Sequence, residues 1–168
     1  MNKIILASSS IYRQQLLKRL PINFSSISPN IDEARISGEN FEDLARRLSN
    51  EKAEAVSIKN PSAFVIGSDQ TAEFSNKEVR KPLSIEKAFI QLNELSGQTL
   101  NFFSGVCLKN AQKNISVDEV VKFSVTYKKL SEEQIKRYLS MEDPSQCVGS
   151  IKSEGLGITL LEEIQCND

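Results

Sequence analysis

Apolar positions along the chain follow two rhythms, one of unbroken short runs and one of helical spacing. Residues 3–7 (KIILA) form a short apolar run that stops at three serines, the pattern of a buried strand. Beyond the serines, Leu16, Leu17 and Leu20 share one face of a predicted helix, so the serines fill a strand-to-helix turn. Residues 24–28 predict a second strand, followed by the polar, turn-rich loop SPNIDEARISGEN. Phe41, Leu44, Ala45, Leu48, Ala55 and Val56 trace the stripe of a long helix over 41–58, with Asn40 as its N-cap. AFVIGSD repeats the first pattern, an apolar strand ending in a polar turn at 67–70.

Downstream, TAEFSNKEVRKP predicts a hairpin turning near Ser75-Asn76, and a helix over 84–95 stops at Gly97. Two long strands, TLNFFSGVCL and VDEVVKFSVTY, pair across the polar KNAQKN turn. Ser131 and Gln134 make a capping box for SEEQIKRYLS, and the Gly/Ser-punctuated tail leads into a last strand. Strands alternating with helices at both ends, with antiparallel ribbon between, predict an α/β (mixed α+β) fold with a mixed sheet flanked by helices. Ligands of open α/β sheets sit outside the carboxyl ends of strands, where this reading places the turns at 7–10 and 67–70.

Composition narrows the chemistry. The 168 residues suit one domain, and 21 basic against 22 acidic side chains give no broad electrostatic footprint for nucleic acid or an anionic membrane. No apolar stretch is long enough to span a bilayer or serve as a secretory leader, so a soluble, cytoplasmic protein is expected. Cys107, Cys147 and Cys166 are odd in number and widely spaced, suggesting neither a disulfide framework nor a thiolate metal site. The absence of histidine removes Ser-His-Asp triads, Cys-His pairs and histidine-ligated zinc. What remains is carboxylates, lysines, arginines and hydroxyls, an inventory suited to oxygen-bound Mg²⁺ and phosphate transfer.

Several positions could carry that chemistry. The serine turn with Arg13 in the first helical turn is a natural phosphate seat, although Ser10 acting only as a cap explains the hydroxyls as well. Lys52 lies eleven residues after Phe41, and eleven steps of about 100° return it to within roughly 20° of the same direction. It therefore projects from the apolar stripe, either snorkelling or reaching a fixed anion, and the anion is favoured because a charge there is costly without a partner. On this view Lys52→Met folds at least as well as the parent. Asp69 is read as ending its strand, a site carboxylate rather than an Asx turn, with Gln70 beside it. Lys81 is held extended by Pro82, and Asp32 and Glu33 offer loop oxygens to Mg²⁺, although a solvated surface charge is the ordinary explanation of each. Lys152 and Glu154 alternate within a glycine-rich loop and would face the same way, or form a solvated ion pair.

Taken as a series, LASSSIYR, IDE, NEKA, IGSDQT, RKP, LSG and GSIKSEGLGI closely resemble the Maf family of nucleoside triphosphate pyrophosphatases over nearly the whole chain. The resemblance implies an elongated fold related to inosine triphosphate pyrophosphatases, with two lobes and a central cleft. It also implies hydrolysis of a nucleoside triphosphate to the monophosphate and pyrophosphate with a divalent metal, Mg²⁺ or Mn²⁺. SDQ, an aromatic at position 12 and KSEG resemble the 7-methyl-GTP pyrophosphatase branch. By that match Asp69 is the proton acceptor, and Tyr12, Gln70 and Glu154 set base preference. Ser8, Ser10, Arg13, Lys52 and Lys81 bind phosphate, Lys152 belongs to the substrate site, and Glu33 with Asp69 holds metal or positions water.

The branch usually has tryptophan where this chain has Tyr12. Members also continue through an Asn-x-x-Gly-Leu-Pro segment into a final helix, so the expected domain over 1–168 lacks the usual C-terminal strand/helix segment. The expected partner is the nucleoside triphosphate, with no nucleic acid and no membrane, and a homodimer is left open. The alternatives are a dTTP/UTP pyrophosphatase of the sister branch, or a weakly active nucleotide-binding regulator of septum formation, with which the family is associated.

Overall fold

A computed structural model describes residues 3–166. Its strands are β1 (Ile4–Ala7), β2 (Ser25–Ser26), β3 (Phe64–Phe74), β4 (Lys77–Glu78), β5 (Thr99–Asn110), β6 (Ile115–Tyr127) and β7 (Leu161–Cys166). Its helices are α1 (Ile11–Leu17), α2 (Phe41–Ser57), α3 (Ile85–Leu95) and α4 (Glu132–Met141), and short 3₁₀ turns precede β7. Sheet order is β2-β1-β3-β5-β6-β7, with β4 paired to β3. β1 runs parallel to β2 and β3, whereas β3–β4 and β6–β7 are antiparallel. This is the mixed α/β class that the sequence predicts.

The chain divides into two compact units, each assembled from two segments because β3, β5 and β6 pass from one to the other. The first comprises the residues up to Gln70 with Phe103–Val121. Its β1 aligns Ile5 with Val65 and Ala7 with Gly67, and Ile5, Ala7, Val65 and Cys107 pack with Ala53 and Val56 of α2. Phe41, Leu44 and Leu48 form a second cluster with Ile31 and Phe103. α2 starts at Asn40, whose Oδ1 accepts from the Asp43 amide at 2.8 Å, and Glu42 and Asp43 meet the positive end of the helix dipole.

The second unit comprises Thr71–Phe102 with the residues from Lys122 on. Its core gathers Leu92 and Leu95 of α3, Leu100 and Phe102, Val125 and Tyr127, and Ile135 and Tyr138 of α4. The Tyr127 hydroxyl donates to the Gly149 carbonyl at 2.7 Å. Ser75 and Asn76 adopt left-handed φ of 52° and 61°, closing the β3–β4 hairpin where the sequence placed its turn.

Three expectations change. β3 does not stop at Asp69 but continues to Phe74, so 67–70 is extended strand and not a turn. The apolar run ends there because the strand's side chains become polar, not because its backbone turns. α1 buries none of its residues, and Leu16 and Leu20 stand 59% and 55% exposed, so the predicted stripe covers no core among the described residues. Within α2, Ala53 rather than Ala55 joins the buried face. Among the described residues no cysteine forms a disulfide, and no helix is long and apolar enough to cross a membrane.

Candidate functional site

Strand alternation decides which side chains of β3 meet α2. Val65, Gly67, Asp69 and Thr71 fall on the buried face. At Gly67 the helix backbone comes so close that a Cβ would lie 2.1 Å from the Ser49 carbonyl oxygen and 2.7 Å from the Ala53 nitrogen. Gly105 of β5 does the same, since a Cβ there would meet the Ala45 carbonyl oxygen at 2.4 Å. Two glycines inside strands thus let α2 lie against the sheet, and Lys52 arrives over Asp69.

Lys52 Nζ donates to Asp69 Oδ1 at 2.5 Å and pairs with Glu33 Oε1 at 2.9 Å. Arg13 Nη2 stands 3.6 Å from the same Asp69 oxygen. Lys52 and Asp69 are buried, with side chains 5% and 8% exposed, whereas Glu33 is 58% exposed. Burial pushes the Asp69 carboxyl above its ordinary value; the charges of Lys52 and Arg13 pull it back, and the net direction remains upward. Asp69 is therefore a stronger proton acceptor than a solvated aspartate.

The loop presenting Glu33 is tied to α2 by Arg47, which donates to both Glu39 carboxylate oxygens, at 2.7 and 2.9 Å, and to the Ala34 carbonyl at 3.0 Å. Arg35 also donates to the Glu39 carbonyl. Asp32 is used within the loop, its Oδ1 accepting from the Ala34 amide at 2.9 Å, so of the two adjacent acids only Glu33 reaches the lysine.

In the serine turn, Ser8 Oγ accepts from the Ser10 amide at 3.1 Å, and Ser10 Oγ caps α1 by accepting from the Arg13 amide at 3.4 Å. Both hydroxyls act as acceptors there, which leaves their protons to donate outward. Tyr12, in the first turn of α1, is 41% exposed. Gln70 lies on the opposite face of β3 from Asp69 and donates to Ser104 Oγ at 2.9 Å.

The first unit therefore joins Arg13, Glu33, Lys52 and Asp69 by direct contacts, holds Ser8 and Ser10 in the turn that leads to Arg13, and sends Gln70 to another face. Lys81, Lys152 and Glu154 belong to the second unit. There Lys81 is exposed and lines a shallow depression of about 310 Å³ with Arg80, Lys87 and Gln91. Lys152 is half-buried and Glu154 exposed, in a turn rather than an extended run, and the Glu154 carboxylate accepts from Ser153 Oγ at 3.3 Å. Sequence reading missed Gly67, Gly105 and Arg47. A glycine inside an apolar strand was the available signal for the first two, since it marks close approach of another backbone.

Glu33 and Asp69 are the carboxylates of this site that could contribute oxygens to a divalent cation. Both carboxylates converge on one point, the Lys52 ammonium, and Mg²⁺ is ordinarily held by one or two carboxylates together with substrate phosphates. Among the described residues no three His, Cys, Asp or Glu side chains come together, so this pair would share the ion with its ligand.

A family model described as Maf: Maf-like protein matches residues 3–167. A 7-methyl-GTP pyrophosphatase of Nitrosococcus oceani is 44% identical over 165 residues, which cover 98% of this chain and 83% of that protein. One from Pseudomonas aeruginosa is 44% identical over 169 residues, covering 100% of this chain and 88% of that protein. Among solved structures, the Staphylococcus aureus Ham1 protein superposes with a TM-score of 0.48 at 19% identity, over 76% of this chain and 71% of that one.

Proposed function

The chain belongs to the Maf-like protein family, and from that premise we propose that it is a nucleoside triphosphate pyrophosphatase whose preferred substrate is 7-methyl-GTP. The observation that carries the reading is the buried Asp69 carboxylate under Lys52 and Arg13, in a chain 44% identical to proteins of that name. Water attacks the α-phosphorus; the new P–O bond forms as the bond to the bridging oxygen breaks, and pyrophosphate leaves. Asp69 takes the proton of the attacking water, a role that its raised proton affinity favours.

Arg13 and Lys52 offset the negative charge that moves onto the leaving pyrophosphate, while Ser8 and Ser10 donate to phosphate oxygens. Glu33 and Asp69 would hold the divalent cation, which when bound supplies charge neutralisation and water polarisation. Lys52 would then exchange part of its contact with these carboxylates for the triphosphate. The family resemblance assigns Lys81 to phosphate as well, and Tyr12 and Glu154 to the base. Methylation at N7 makes the guanine ring cationic, so an aromatic face and an acceptor-only carboxylate suit it.

Pyrophosphate release from a panel of 7-methyl-GTP, GTP, ATP, UTP and dTTP with Mg²⁺ tests the reading. Fastest release is expected from 7-methyl-GTP, with ATP and UTP poor. Preference for dTTP or UTP would place the chain's activity with the sister branch, and binding without turnover would overturn the enzymatic reading.

A further inference from the structure

We propose that Glu142 is a positioning residue for the loop carrying Lys152 and Glu154, fixing Glu154 where it can read the base; this rests on the proposed reading of Glu154 as a base contact. α4 ends at Met141, and the chain turns extended at Glu142 (φ −145°, ψ 137°). One oxygen of this carboxylate, Oε2, accepts from the amides of Leu156 at 3.0 Å and Gly157 at 3.2 Å, fourteen and fifteen residues along the chain. One turn earlier on the same helix, the Tyr138 hydroxyl accepts from the Lys152 amide at 3.2 Å. One end of the 152–157 loop is thus tied to α4 and the other to the residue that follows it, and α4 is rooted in the core through Ile135 and Tyr138.

The glycines of the loop fit this tether. A Cβ on Gly155 would lie 2.1 Å from Glu142 Oε1 and 2.9 Å from its carboxyl carbon, so the bare backbone is what lets the carboxylate seat. A Cβ on Gly157 would meet both the nitrogen and the oxygen of Lys152 at 2.6 Å, so the loop closes tightly on itself, with the Gly155 amide bonded to the Lys152 carbonyl at 3.1 Å. Glu154 sits between the two ties, exposed, with Ser153 Oγ on its carboxylate. A recognition carboxylate on a pre-ordered loop binds without the ordering cost that a frayed loop would impose.

Two measurements on Glu142→Ala, Glu142→Gln and Gly155→Ala test the tether. Hydrogen exchange at the Leu156 and Gly157 amides reports the clamp itself. KM and kcat with 7-methyl-GTP and with UTP report its use. Loss of a charge-assisted acceptor predicts exchange faster by about tenfold or more at those two amides in Glu142→Ala. KM for 7-methyl-GTP should rise by a similar factor while kcat stays within about twofold and the UTP constants hold. Gly155→Ala, which displaces the carboxylate without removing it, should give the same split, and Glu142→Gln, which keeps an oxygen in place, should recover most of it. Unchanged amide protection in Glu142→Ala, or kcat falling equally for both nucleotides, overturns the proposal. A parent protein that does not favour 7-methyl-GTP contradicts the substrate reading, and the exchange rates then decide the tether by themselves.

Discussion

Lys52 of α2 stands 2.5 Å from Asp69 of β3, in a pair that is almost fully removed from water. The same ammonium holds Glu33, so one side chain joins a helix, a strand and a loop. Leaving either buried partner alone is costly, because its charge keeps the desolvation penalty and loses the attraction that offset it.

For Lys52→Met this reverses the expectation drawn from sequence. The lysine does intrude on an apolar stripe, but its removal strands Asp69. Breaking a buried pair costs about 3 to 5 kcal/mol when nothing compensates, and Arg13 at 3.6 Å together with proton uptake by Asp69 should bring the loss to the lower part of that range. The sign with pH follows from the direction of the shift. Asp69 already has a raised folded-state value, and losing Lys52 raises it further, so its contribution to stability is present below the ordinary aspartate value and lost as pH rises through the folded one. Urea unfolding should show a deficit that is smallest near pH 4 and grows toward neutrality. A variant as stable as the parent at pH 7 would show that the pair carries no net stability.

Gly67→Ala tests how the pair is assembled. The added methyl would fall against the backbone of Ser49 and Ala53, which cannot swing aside as a side chain would. Overpacking of this kind costs about 1 to 3 kcal/mol and moves α2 away from β3. Turnover should therefore fall even in the fraction that remains folded, because Lys52 travels with the helix. Full activity with an unchanged unfolding midpoint would mean that the helix does not need its close seat.

Much of this was legible in the chain. Asn40 with the Phe41, Leu44 and Leu48 stripe marks α2, Ser75-Asn76 marks the hairpin, and the Ser131/Gln134 capping box is present with both of its hydrogen bonds. Local signals of this kind are written in neighbouring residues. The continuity of β3 was not legible, because the polar residues at 68–70 read as a turn between the AFVIGSD strand and the TAEF arm of the hairpin, whereas the two are one extended strand paired to β4 at its end. Nor was the separation of Asp69 from Gln70, which follows once the backbone there is strand rather than turn. The Glu142 contacts join residues fourteen positions apart and leave no periodic trace.

The central claim is that Asp69 accepts the proton of the attacking water, and the pH dependence of pyrophosphate release by the parent and by Asp69→Asn tests it most directly. The parent's rate should climb with pH along a limb set by ionisation of the buried Asp69 carboxyl. Asp69→Asn keeps the shape and removes the acceptor. It should bind nucleotide, lose about 100-fold or more in turnover, and lack that rising limb. Near-parental turnover in the asparagine variant, with the limb intact, would contradict the assignment.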